Sequence, residues 1–151
     1  MPSADALDQF DAVVTRYDRL AGVLLRGGLG VTILLAGGHK LVAPAAWHAY
    51  LAPPFAALWP TGLLPLSPTF VLFGVSEVLF GLLLLADWHT PTVASVTALS
   101  LLGVVVNLCV GVAVGEPYVD VLVRDVGLTF LAFGVALNGD TARGAGDGPE
   151  T

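Results

Sequence analysis

The chain has 151 residues, a length that fits one domain; 56% are hydrophobic, 12% are charged and the formal charge is −6. Soluble domains carry about 25% charged residues. Half that fraction, with a mean hydropathy of +0.83, excludes an ordinary soluble globule and a disordered chain and points to a lipid bilayer as the solvent. So acidic a chain, without a basic cluster, is not built for nucleic acid.

Residues 1–19 come first. Leu7, Phe10, Val14, Tyr17 and Ala21 recur at spacings of three and four, with Asp8, Asp11, Thr15 and Asp18 on other faces. This predicts an amphipathic helix on the membrane surface, continuous with the first crossing. No basic segment precedes a short apolar core, so the first crossing is expected to insert the chain itself. Four apolar stretches follow, at 20–42, 69–86, 91–114 and 118–137. Each is close to the ~20 residues that span ~30 Å of hydrocarbon. The expected fold is all-α: an integral membrane four-helix bundle over residues 20–137, running up-down-up-down. Residues 138–151 open with Asn138-Gly139, which suits a helix end, and read as a disordered tail.

The connection 43–68 holds Pro44, Pro53, Pro54, Pro60, Pro65 and Pro68, together with Trp47, Tyr50, Phe55 and Trp59, and no formal charge. Proline forbids a long helix, and Trp and Tyr favour the headgroup level. A short interfacial helix over 44–52 and a kinked segment are expected. They form either a lid across the bundle mouth or a passive aromatic anchor. Near the crossings, Arg16, Arg19, Arg26 and Arg143 fall on one side, and Lys40 and Arg124 towards the other. The excess of basic residues predicts a plasma-membrane protein with both termini cytoplasmic.

Ionisable residues inside crossings are costly and ask for partners. Lys40, Glu77, Asn107, Arg124 and Asp125 come from all four crossings, and the last four sit roughly 10 Å below the same surface at 1.5 Å per residue. Three of them lie on small-residue stripes: Gly30, Ile33, Gly37, Lys40; Gly74, Glu77, Gly81; and Gly103, Asn107, Gly111, Gly115. Such stripes mark helix contacts in membranes. The two cations and two anions balance, so the five residues are expected to gather into one neutral cluster bridged by Asn107. Its role is either structural or functional. In the functional case it binds a small headgroup, with Glu77 as the proton carrier and Arg124 holding a carbonyl or anion. His39 either joins the cluster or lies at the interface. Arg26 snorkels or pairs with Asp18 or Asp87. A single cysteine, Cys109, excludes an intrachain disulfide, and no metal-binding pattern is present.

Arg26-Gly27-x-x-Gly30, Gly37-Gly38-His39-Lys40-Leu41 with Pro44 and Trp47, Phe73-Gly74-x-x-Glu77-x-x-x-Gly81-Leu82-Leu83-Leu84 and Arg124-Asp125 together resemble the DoxX family of small four-span membrane proteins. The resemblance covers about residues 20–138. It implies a membrane subunit of a quinone-linked oxidoreductase or a redox-stress complex, with quinone as the one cofactor, none of it covalent, and a partner redox subunit or a second copy of the chain. It leaves open whether the chain is itself catalytic. The alternative is a non-enzymatic scaffold, or last a small-solute carrier, whose cluster only locks the helices.

Overall fold

A computed structural model describes residues 9, 12 and 18–144. The expected surface helix over 1–19, apart from isolated positions, and the tail beyond Gly144 therefore lie outside the described residues. The elements in chain order are α1 (Asp18–Val42), a 3-10 helix (Pro44–Tyr50), α2 (Pro53–Leu58), α3 (Leu66–Leu85), α4 (Thr90–Ala113) and α5 (Val119–Gly144). Every element among the described residues is helical.

Prolines stand in the first turn of the 3-10 helix, α2 and α4, where the fixed φ suits the helix and no N–H is missed. Pro68 stands likewise in the first turn of α3, which starts three residues before the expected 69. At the other end of the chain, α5 runs past the expected stop at Leu137 to Gly144. Asn138 and Gly139 do not end it, because glycine inside a helix costs only about 1 kcal/mol relative to alanine. The turn between α3 and α4 is tight, with Asp87 (φ 57°) and His89 (φ 47°) in the left-handed region.

Among the described residues, three helices are long and apolar enough to cross a membrane: Leu20–Val42, Leu66–Leu85 and Thr90–Ala113. The expected fourth crossing, within α5, is not among them, and it carries Asp120, Arg124 and Asp125. Large apolar side chains such as Leu24, Leu35, Leu72, Leu99 and Phe130 are exposed on all four long helices. Contiguous apolar surface of this kind marks a membrane or partner interface, and here lipid accounts for it.

Helices α1 and α3 pack antiparallel along their glycines. Gly37 meets Gly74, and Gly30 meets Gly81 seven residues away on each helix. A Cβ on Gly37 would stand 2.7 Å from the Gly74 carbonyl oxygen, and one on Gly81 would stand 2.8 Å from that of Gly30. Helices α4 and α5 form the second close pair; α1 against α5 and α3 against α4 join the two pairs. The half of Gly103 and Gly115 in the expected α4 stripe does not face a helix: a Cβ on either meets nothing within 4 Å. Only Gly111 is closely packed there, against the Tyr118 ring.

The apolar core sits at one end of the bundle. Leu29 and Ile33 of α1, Leu84 of α3, Val93, Ala94 and Ala98 of α4, and Ala132, Val135 and Ala136 of α5 meet there. Below this core, Arg26 closes the end of α3. It donates from Nη1 to the carbonyls of Leu84 (2.8 Å) and Leu85 (3.3 Å) and lies 3.4 Å from Asp87. Asp87 was one of the acids expected to partner Arg26, and it does so. A cation suits the unpaired carbonyls at a helix C-terminus. The opposite end is polar and carries the candidate site.

Candidate functional site

Gly37 and Lys40 are three residues apart in α1, and Gly74 and Glu77 are three apart in α3. Each pair lies on one helical stripe. The backbone contact at the glycines therefore brings the two charges face to face. Lys40 Nζ donates to both carboxylate oxygens of Glu77, at 2.8 and 2.7 Å. The side chains are only 9% and 20% exposed. Above them, the Trp47 ring covers the ammonium, with Nζ 3.7 Å from its centroid, a cation–π contact.

The second charged pair lies within α5. Arg124 Nε donates to Asp125 Oδ1 at 2.8 Å. The Asp125 side chain is 7% exposed and that of Arg124 56%. Consecutive helical residues point about 100° apart, so the carboxylate faces inward and the guanidinium turns back to reach it from the surface. Each pair is neutral by itself.

The expected five-residue cluster is thus two ion pairs, and Asn107 bridges neither. Its amide instead clamps the lid backbone, with Nδ2 donating to the Tyr50 carbonyl (2.7 Å) and Oδ1 accepting from the Ala52 N–H (3.0 Å). Sequence spacing places Asn107 on the inner stripe of α4, but it does not show where the lid runs. His39 is exposed and lies at the lid rather than in the ion pair; its Nδ1 accepts from Trp47 Nε1 at 3.0 Å.

Two contacts outside the expected set complete the lid. The buried Tyr118 donates its hydroxyl to the Ala49 carbonyl at 2.6 Å. His48 Nε2 and Ser67 Oγ are 3.2 Å apart. Gly111, expected to face another helix, instead leaves room for the Tyr118 ring. The 3-10 helix and Ala52 are therefore tied to α1, α3, α4 and Tyr118 at once. Of the two expected forms of this connection, the structure has the lid. Asn107→Leu is expected to leave the Tyr50 carbonyl and Ala52 N–H unpaired, at about 1–3 kcal/mol each. Hydrogen exchange should show faster exchange at Ala52 with unchanged protection in α1 and α3.

A crevice opens between α3 and α4 beside the ion pair. Ser76, Glu77 and Phe80 line one side, Thr97, Ser100, Leu101 and Val104 the other, and Ile33 the floor. It has room for about one water. Ser76 and Thr97 already donate to backbone carbonyls of their own helices, at 2.8 Å each. Among the described residues no buried side-chain polar atom lacks a hydrogen-bond partner.

These features define an α-helical integral membrane protein with a carboxylate–ammonium pair held beneath an aromatic lid. No family model, no curated protein and no solved structure matches the chain.

Proposed function

We propose that the chain is a DoxX-like subunit of the plasma membrane that offers the Glu77 carboxylate to the polar tip of a lipid-soluble quinone. The observation that supports it is the position of Glu77: it lines a crevice between two helices with lipid-exposed flanks, while Trp47 and the lid cover its partner Lys40. The crevice admits a carbonyl oxygen or a water but not a ring, so the ring would lie in the bilayer between α3 and α4. Glu77 would exchange a proton with the quinone oxygen, and Lys40 would hold the carboxylate in place and balance its charge. Electrons would come from a partner redox subunit, since the chain has no metal or flavin motif of its own. In this reading α5 is the fourth crossing, the helices run up-down-up-down and both termini are cytoplasmic.

One observation favours a second reading, a scaffold whose ion pairs only fix helix packing: the polar groups at the site are already partnered. Quinone binding to protein in lipid nanodiscs separates the two. Wild type should bind a long-chain quinone, and Lys40→Met/Glu77→Gln, which keeps a neutral and similarly sized pair, should bind about tenfold or more weakly, the equivalent of one lost hydrogen bond to a charged group. Folded wild type that binds no quinone would leave the scaffold.

A further inference from the structure

The lid is held by one contact that depends on protonation. Helix α1 grips Trp47 twice: its ring faces the Lys40 ammonium at 3.7 Å, and its indole N–H donates to His39 Nδ1 at 3.0 Å, with the two rings in an edge contact at 5.8 Å. Indole is a donor only, so this bond requires a neutral imidazole with a free lone pair on Nδ1. A protonated His39 has a hydrogen on both ring nitrogens. It would meet the indole N–H donor to donor and would add a second cation beside Lys40.

The other lid contacts do not share this dependence. Asn107 and Tyr118 hold backbone groups through an amide and a hydroxyl. His48 meets a serine hydroxyl, which can either accept or donate, so that contact survives protonation. The remaining charged groups at this corner are already matched: Lys40 of α1 with Glu77 of α3, and Arg124 with Asp125 of α5. The other titratable groups at the lid are Tyr50 on its own segment and Tyr118 before α5, with Glu116 in the turn ahead of Tyr118. Of these, Tyr50 meets the Trp47 ring, with centroids 6.2 Å apart; that contact lies within the lid itself and needs no proton on His39. His39 is exposed at the end of α1, where protons from water reach it.

We propose that His39 and Trp47 form a pH-sensitive latch: protonation of His39 releases Trp47 from α1, uncovers Lys40 and opens the ion pair to water from the lid side. The latch stands whether or not the ligand of Glu77 is a quinone. Imidazole is the side chain that changes charge between pH 5 and 8.

The test is acrylamide quenching of Trp47 fluorescence in Trp59→Phe/Trp88→Phe protein, which removes the other two tryptophans, one of them in a tilted ring contact with His89. The quenching slope should rise about twofold from pH 8 to pH 5 as imidazole gains its proton. His39→Gln keeps an acceptor that does not titrate and should stay at the low slope throughout. His39→Ala removes the acceptor and should stay at the high slope. His48→Gln should titrate like the parent. A slope independent of pH in the parent, or an equal rise in His39→Gln, overturns the latch.

Discussion

Gly37→Ala is expected to disrupt the α1/α3 pair, although it adds one methyl group. The new Cβ would stand 2.7 Å from both the Gly74 carbonyl oxygen and the Val78 nitrogen, and 2.8 Å from Glu77 Cβ. Two of these atoms are backbone, which cannot rotate away. Overpacking typically costs 1–3 kcal/mol, occasionally more, where side chains can adjust; here the helices must separate, so about 3 kcal/mol or more is expected. The separation would also pull Lys40 from Glu77. Gly74→Ala and Gly81→Ala should behave alike, with Cβ contacts of 2.9 and 2.8 Å to the facing carbonyls. Gly103→Ala is the control. It meets nothing within 4 Å, so alanine should be neutral or stabilise α4 by up to about 1 kcal/mol through helix propensity. Thermal unfolding in detergent, followed by circular dichroism, reads all four, and a lower midpoint for Gly103→Ala than for Gly37→Ala would refute the glycine contact.

Glu77→Gln is expected to destabilise the bundle by about 3–5 kcal/mol, the usual result of stranding one member of a buried ion pair. Lys40 is then left as an uncompensated cation, 9% exposed in its side chain, with only the Trp47 ring and a neutral amide for partners. Lys40→Met should cost a similar amount by stranding Glu77. The double variant should recover most of the loss, because an apolar or neutral pair of similar volume replaces a buried salt bridge at little net cost. The coupling energy of the cycle isolates the pair from its surroundings. Additive losses in the double variant would mean that Lys40 and Glu77 act separately. Arg124→Gln provides the comparison: its side chain is 56% exposed, so solvent screening reduces its contribution.

Much of this architecture was legible in the chain because the helix period is regular. Hydropathy located the long helices to within a few residues, the C-terminal end of α5 excepted, and the 4-3-4-3 spacing of Arg26, Gly30, Ile33, Gly37 and Lys40 identified the contact face of α1. The spacing of Gly74, Glu77 and Gly81 placed Glu77 on the contact face of α3. The Arg26–Asp87 pairing was also foreseeable, since both lie at the same end of an antiparallel pair. The stripe of α4 misled at Gly103, because glycine appears in membrane helices without always serving a contact, and at Gly115, which lies past the end of α4 in a turn with φ 96°.

Composition and periodicity alone established a helical, lipid-exposed protein and the face that each of the first two long helices buries, since both depend on the solvent and on a fixed angle per residue. Which cation meets which anion, that Asn107 serves the lid rather than the charges, and that Trp47 stands between His39 and Lys40 were decided in three dimensions. Those contacts depend on the path of an irregular, proline-rich connection and on the turn of one helix against the next, and neither quantity is carried by the spacing of residues along a single helix.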